Sequence, residues 1–118
     1  MLKKIVIFGV GLIGGSFARA LRKAGAAEQI VGVGRTAASL ARAKELGIID
    51  VISTSVEDAL RGADLVLLAA PVAQTEAILA AIKPHLQAQT VITDAGSIKG
   101  EVVAVARRVL GDKIAQFV

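Results

Sequence analysis

The sequence contains no cysteine, tryptophan or tyrosine, and only one histidine and three phenylalanines among its 118 residues. The absence of cysteine excludes disulfide bonds, zinc fingers and thiol catalysis. Aromatic residues make up 3% of the chain and hydrophobic residues 54%, so the core must consist mainly of Ala, Val, Ile and Leu. That composition is typical of a tightly packed sheet covered by helices, and the length predicts one domain.

The sequence also lacks a long apolar run and a concentrated basic surface. No stretch reaches the ~18 unbroken apolar residues of a membrane span. Lys3 and Lys4 precede an apolar run, as in a short signal peptide, but glycines interrupt that run, which favours a first strand and a cytoplasmic protein. The net charge of +4 suits an anionic ligand. The basic residues are scattered and no aromatic platform accompanies them, so neither a nucleic acid nor a membrane is predicted as a partner.

A glycine-rich turn joins an apolar run at residues 5–8 to an amphipathic segment that begins at Leu12. Gly9, Gly11 and Gly14 follow the G-x-G-x-x-G pattern, in which the glycines allow a tight turn, a close pyrophosphate and close packing of helix on sheet. The free N–H groups and the dipole of the helix attract phosphates. The pattern predicts a dinucleotide-binding turn. Its expected contacts come from Gly9, Val10, Gly11, Leu12, Ile13 and Gly14.

Strands and helices alternate along the whole chain. Further strands are predicted at residues 29–33, 50–53, 64–70 and 90–94, and a sixth opens at 116–118. Short connections in such an alternation predict an α/β fold, a Rossmann-type doubly wound parallel sheet of order 3-2-1-4-5-6 over residues 1–118, with the sixth strand truncated. Ligands of such sheets bind beyond the carboxyl ends of the strands, at the switch point between strands 1 and 4.

Capping residues mark the ends of the helices between these strands. Gly25 and Gly47 end the first two helices, Thr36 precedes the second, and Ser55, three residues before Asp58, opens the third. A fourth helix is predicted from residue 73 to 82 and a last one from the turn at 95–97 to 110. In the second helix the residues expected to face the sheet are Leu40, Ala43 and Leu46.

The residue after the second strand indicates which cofactor is bound. In an NAD site an acidic side chain at that position binds the ribose 2′-hydroxyl, but here Gly34 occupies it. Gly34 leaves room for a 2′-phosphate and Arg35 supplies a permanent charge, so NADP is favoured and NAD remains possible. The alternative is that Arg35 is a solvated loop residue. The residues assigned to this part of the cofactor site are Gly34, Arg35 and Thr36.

Two other strand ends lie at the same predicted edge. Ala70 and Pro71 end the fourth strand with small side chains that let a flat ring lie over the backbone, although they also suit a simple strand terminator. Asp94, Ser97 and Lys99 cluster after the fifth strand, and Ser97 suits both a hydrogen bond to a reacting group and an N-cap. The single histidine, His85, follows Pro84 at the opposite edge and is expected on the surface. No complete acid–base set is therefore visible.

Four stretches together resemble one family. They are G-V-G-L-I-G-G-S at residues 9–16, L-G-I-I-D at 46–50, A-P at 70–71 and above all D-A-G-S-I-K at 94–99. Over its whole length the chain resembles the nucleotide-binding half of the prephenate and arogenate dehydrogenases of tyrosine biosynthesis. The resemblance implies an oxidative decarboxylation. A hydride passes from the carbon bearing the 4-hydroxyl to NADP or NAD, a base takes the hydroxyl proton, and loss of carbon dioxide makes the ring aromatic.

The resemblance also assigns roles to residues. Ser97 matches the family serine that contacts the substrate hydroxyl, and it is the catalytic residue expected here. Asp94 and Lys99 are assigned to the cofactor site, and no metal is expected. The family's catalytic histidine follows the sixth strand and its substrate-binding arginine lies in a helical dimerisation domain, both beyond residue 118. We therefore expect this chain alone to bind cofactor without turnover, and the longer protein to be a homodimer. The choice between prephenate and arogenate stays open.

Two other interpretations remain. A stand-alone dinucleotide-sensing module would explain the small size and the missing base, but not the D-x-G-S-x-K block. The cofactor domain of another hydroxy-acid or imino-acid reductase would share the fold.

Overall fold

A single parallel sheet with helices on both faces makes up the fold in the computed structural model, which describes residues 2–9, 12–34, 37–70, 72–94 and 99–117. The strands are β1 (Leu2–Phe8), β2 (Ala27–Val33), β3 (Val51–Ile52), β4 (Leu65–Leu68) and β5 (Val91–Asp94). The helices are α1 (Leu12–Lys23), α2 (Ala37–Glu45), α3 (Val56–Leu60), α4 (Val72–Ile82) and α5 (Lys99–Leu110), with 3-10 turns at Lys83–His85 and Gly111–Gln116. The strand order is β3-β2-β1-β4-β5. The predicted Rossmann-type fold is confirmed.

Strand β1 lies at the centre of the sheet and supplies both faces of the core. Successive side chains of a strand point to opposite faces, so its apolar run divides between two clusters. Ile5 and Ile7 pack with Leu40 of α2 on one face. On the other face Val6 and Phe8 pack with the inner residues of the remaining helices. Those residues are Leu60 of α3, Leu79 and Ile82 of α4, and Ala106 and Leu110 of α5.

The predicted helix ends have the expected geometry. Gly25 has a φ of +66° and Gly47 a φ of +75°, a region that favours glycine. The N–H of Gly25 donates to the Arg22 carbonyl at 3.1 Å and the N–H of Ala26 donates to the Leu21 carbonyl at 2.9 Å. These two bonds make a Schellman motif at the end of α1. At the start of α3 the Ser55 hydroxyl accepts the Asp58 N–H at 3.3 Å, so that cap is also confirmed.

The expectation that Leu46 faces the sheet is wrong, since 53% of this residue is exposed. Helix α2 ends at Glu45, and Gly47 then turns the chain with the Ile48 N–H bonded back to the Ala43 carbonyl at 2.9 Å. The helical period therefore no longer sets the direction of Leu46. Ile49, which is buried, occupies the core position on the strand side of that turn.

The last described residue makes a single bridge to the edge of the sheet, within the segment predicted as the opening of a sixth strand. Phe117 makes a parallel bridge with Ile92 of β5. Gln116 still belongs to the 3-10 turn, so pairing starts one residue later than predicted. The Gln116 side-chain amide donates to the carbonyls of Gln87 and Thr90, both at 2.8 Å, which fixes where this strand begins.

Asp50 joins three elements at the amino side of the sheet. Its carboxylate accepts the Ile30 N–H of β2 at 2.8 Å and lies 2.9 Å from the Arg22 guanidinium of α1. Burial alone would raise the pKa of Asp50, but the hydrogen bonds from Arg22 and Ile30 and the charge of Arg22 together lower that pKa below its ordinary value. The charged form is therefore the form that the fold stabilises.

We expect Asp50→Asn to lower the free energy of unfolding by ~1 kcal/mol at pH 7, since the pair is partly exposed and screened. A lowered pKa in the folded state contributes stability above the ordinary carboxyl pKa and loses it as the pH falls through the folded value. The difference from wild type should therefore shrink below about pH 4. Urea unfolding between pH 2.5 and 7 measures it.

Glu76→Gln is the matched control for this measurement, because it breaks the more exposed 2.9 Å pair with Arg108. We expect it to change stability by less than ~0.5 kcal/mol. Equal losses in the two variants, or an Asp50→Asn loss that does not depend on pH, would contradict the role given to Asp50.

Candidate cofactor site at the carboxyl edge of the sheet

The carboxyl ends of β1 and β4 lie side by side where the chain reverses direction across the sheet. Phe8 is in register with Leu68, the last residue of β4. Helices α1 and α2 cover the face on one side of this junction, and α3, α4 and α5 cover the other. The helices that follow β1 and β4 therefore lie on opposite faces of the sheet, and doubly wound sheets bind ligands in the crevice at such a switch point.

Gly9 follows β1 at this junction in a conformation that requires glycine. Its φ is +85°, and a Cβ placed there would lie 2.8 Å from the Ala70 nitrogen and 2.9 Å from the Ala69 carbonyl carbon. Hydrogen bonds hold the two strand ends together, with the Ala69 N–H donating to the Phe8 carbonyl at 2.8 Å. The crevice is therefore lined at this point by backbone, as a dinucleotide phosphate group requires.

Gly34 follows β2 under no such constraint. Its φ lies outside the left-handed region, the residue is exposed, and a Cβ would meet only the side chain of Leu40, no closer than 3.5 Å. That distance is an ordinary van der Waals contact, so the backbone accepts a larger residue here. Packing of the described residues does not explain why this position is a glycine.

The other described site residues lie at the same edge. Ala70 follows β4 and is buried. Asp94 is the half-buried last residue of β5, in register with Leu68. The fold thus brings Gly9, Gly34, Ala70 and Asp94 to one edge of the sheet, as predicted. The candidate residues outside the described part of the chain are Val10, Gly11, Arg35, Thr36, Pro71 and Ser97, together with the side chains of Leu12, Ile13 and Lys99; Gly14 lies within α1.

His85 lies at the opposite, amino edge, in the 3-10 turn that precedes β5. The expected edge is confirmed, but the residue is half-buried rather than exposed, because its turn packs against α3. Within the described ranges no group of three potential ligands is placed to hold a metal ion. No helix in those ranges is both long and apolar enough to cross a membrane.

Sequence reasoning overlooked the hydroxyl-rich turn after β3. The Ser53 hydroxyl donates to the Ser55 carbonyl at 2.8 Å and accepts the Ser55 N–H at 3.3 Å, and the Ser53 N–H donates to the Gly32 carbonyl at 3.0 Å. Thr54 between these serines is exposed. The signal available in the sequence was a run of three hydroxyl residues, 53–55, that begins at the last residue of the strand predicted at 50–53.

A family model described as the nucleotide-binding domain of prephenate dehydrogenase matches residues 17–118. The chain belongs to the prephenate dehydrogenase family. It is 35% identical over 119 residues to prephenate dehydrogenase of Bacillus subtilis, a match that covers 100% of this chain and 32% of that protein. The resemblance inferred from the sequence motifs is confirmed.

Two solved structures from this family have a similar fold. Prephenate dehydrogenase from A. aeolicus, in complex with hydroxyphenyl propionate and NAD+, matches with a TM-score of 0.87 and 35% identity over 99% of this chain and 40% of that one. Arogenate dehydrogenase from Synechocystis matches with a TM-score of 0.80 and 29% identity over 92% of this chain and 38% of that one. This chain spans about a third of the length of the curated relatives it matches.

The two glycines at this edge should respond differently to alanine. Gly9→Ala must adopt a positive φ and displace the Ala70 backbone, so we expect it to lower the free energy of unfolding by ~2 to 4 kcal/mol. Gly34→Ala fits the existing space and reduces the freedom of the unfolded chain, so its stability should match or exceed that of wild type. Urea unfolding of both variants measures the difference, and an equal effect at the two positions would show that the contact at Gly9 does not constrain the fold.

Proposed function

We propose that this chain binds a nicotinamide dinucleotide across the carboxyl edge of its sheet and is the cofactor half of a prephenate or arogenate dehydrogenase. The observation that carries the proposal is that the carboxyl ends of β1 and β4 meet at the switch point, with Phe8 in register with Leu68 and with backbone at Gly9 and Ala70. Membership of the family and the NAD+ complex of the A. aeolicus relative support it.

The proposed contacts follow the strand ends. The turn after β1 meets the pyrophosphate through backbone N–H groups, the end of β2 meets the adenosine ribose, and the ends of β4 and β5 meet the nicotinamide half. Ala70 suits that last position because a small buried side chain lets a ring lie against the backbone. The full proposed set is Gly9, Val10, Gly11, Leu12, Ile13 and Gly14 after β1, Gly34, Arg35 and Thr36 after β2, Ala70 and Pro71 after β4, and Asp94, Ser97 and Lys99 after β5.

The chemistry divides between cofactor and protein. When bound, the nicotinamide accepts a hydride from the substrate. The chain itself positions the nicotinamide and the substrate for this transfer. Ser97 is proposed to hydrogen-bond the substrate hydroxyl from which the proton is lost, and a base takes that proton. A homodimer of the longer protein is likewise a proposal that follows from the family.

NADP is the proposed cofactor in preference to NAD. Gly34 is exposed and carries no carboxylate to hold a ribose 2′-hydroxyl or to repel a 2′-phosphate. Arg35 follows it in sequence and supplies a permanent positive charge with a planar set of donors that suits phosphate.

Titration calorimetry of the chain with NADP and NAD tests both the function and the preference. We expect both nucleotides to bind, NADP about 10- to 100-fold more tightly, because charge-assisted bonds contribute ~1.5 to 3 kcal/mol and each tenfold corresponds to ~1.4. Arg35→Ala should remove most of the preference, and added salt should reduce it. Absence of binding by either nucleotide would refute the function; a preference unchanged in Arg35→Ala would show that Arg35 is a solvated surface residue.

Ser97→Ala separates the catalytic role of this residue from a capping role. A transition-state hydrogen bond is worth about 10²- to 10³-fold in rate, whereas a lost cap costs ~1 kcal/mol of stability. We expect the variant, measured in the protein at the full length of its relatives, to lose turnover by at least tenfold with little change in melting temperature. Normal turnover together with a lower melting temperature would leave Ser97 as an N-cap alone.

A further inference from the structure

We propose that the carboxyl end of β3 forms the second wall of the 2′-phosphate site, with the Thr54 hydroxyl as a hydrogen-bond donor to a phosphate that occupies the space above Gly34. The inference rests on the proposed function and extends it to a binding residue on a neighbouring strand. The inference about Thr54 does not depend on Arg35, because it is argued only from residues in the described part of the chain.

The last register pair of β2 and β3 stands two residues before Gly34 and Thr54. Val31 is in register with Val51 and Gly32 with Ile52. The Ser53 N–H continues the parallel ladder by donating to the Gly32 carbonyl at 3.0 Å. By this offset Thr54 follows β3 at the level at which Gly34 follows β2. Neighbouring strands are about 4.8 Å apart, so we infer that one phosphate group can reach both residues.

Little of the described part of the chain approaches the space above Gly34. Gly34 has no side chain and is exposed, and the described atoms nearest to a Cβ there belong to Leu40, at 3.5 Å and beyond. The glycine is required neither by a positive φ nor by a close backbone contact. Nothing in the described structure requires a glycine at position 34, which lies at the edge where a dinucleotide is proposed to bind. The glycine is best explained by a ligand group for which it leaves room.

The hydroxyls of the turn have different tasks. Those of Ser53 and Ser55 are used within the turn and at the cap of α3, where they bond the Ser55 carbonyl and the Asp58 N–H. Thr54 is exposed, and among the described residues its hydroxyl has no protein partner. The turn is therefore fixed by its serines and presents one available donor, as phosphate recognition by hydroxyl side chains requires.

The charge of the side chain at position 34 decides which cofactor the site accepts. A carboxylate at position 34 would lie against a 2′-phosphate and repel it, while it would accept a hydrogen bond from a free 2′-hydroxyl. A Cβ at position 34 meets no backbone of the described residues. Gly34→Asp should therefore reverse the preference toward NAD, whereas Gly34→Asn, which has the same shape without the charge, should keep most of the preference for NADP.

Calorimetric titration of the chain with adenosine 2′,5′-bisphosphate and with AMP isolates the contact to the 2′-phosphate. We expect Thr54→Val to weaken binding of the bisphosphate about 3- to 10-fold, since one hydrogen bond to a charged group is lost at an exposed site, and to change AMP binding less than twofold. Thr54→Ser keeps the hydroxyl and should bind as wild type does. Thermal melts of each variant verify folding, and Thr54→Ala provides a second deletion of the hydroxyl.

The outcomes separate this inference from the function on which it rests. If wild type binds neither NAD nor NADP, the proposed function is wrong and the inference is overturned with it. If wild type binds both but Thr54→Val and Thr54→Ala keep the full ratio of bisphosphate to AMP affinity, the function stands and the role of Thr54 is refuted. An equal loss for both probes would show that Thr54 contacts the adenine or ribose rather than the phosphate, which also refutes it.

Discussion

The parallel pairing of β1 along both of its edges is the constraint on which the rest of the structure depends. Each residue from Ile5 to Phe8 has a partner in β2 and another in β4. A strand bonded on both edges and covered on both faces has no place for a polar side chain, which explains its unbroken apolar run. Because β2 and β4 are reached through helices on opposite faces, the crevice must open at the carboxyl ends of β1 and β4. The position of the site is thus a consequence of one central strand.

Two glycines at that edge serve different purposes, and the structure distinguishes them where the motif did not. Gly9 is dictated by the backbone, because a positive φ and the approach of Ala70 leave no room for a side chain. Gly34 has neither a positive φ nor a close backbone contact, so both its conformation and its surroundings are compatible with a side chain. A glycine demanded by the fold says little about which ligand is bound, whereas one that the fold does not require indicates the shape of what binds beside it. Cofactor choice is therefore better argued from Gly34 than from the glycine-rich turn.

Sequence signals within one segment predicted most of the fold. The predictions failed where a residue's position depends on tertiary geometry. Caps at Gly25 and Ser55 were predictable because each depends on a few adjacent residues. Leu46 was misplaced because helical periodicity does not continue through a Schellman turn. Thr54 was overlooked because its level relative to Gly34 is inferred from the register of β2 with β3, which no pattern within one segment contains. The roles of Ser97 and the other chemical residues stay predictions, since motifs specify them by resemblance rather than by local physics.

The two edges of the sheet differ in the residues at the ends of their strands. At the amino edge, side chains bond to backbone: the Asp64 carboxylate accepts the N–H groups of Lys3 and Lys4, and the Lys4 ammonium donates to the carbonyls of Asp58 and Arg61. The described part of the carboxyl edge carries small residues instead at the ends of β1, β2 and β4. A site must keep some groups unsatisfied until a ligand arrives, and this lowers local stability. Anchoring the sheet at the far edge lets the binding edge remain open without loss of the fold.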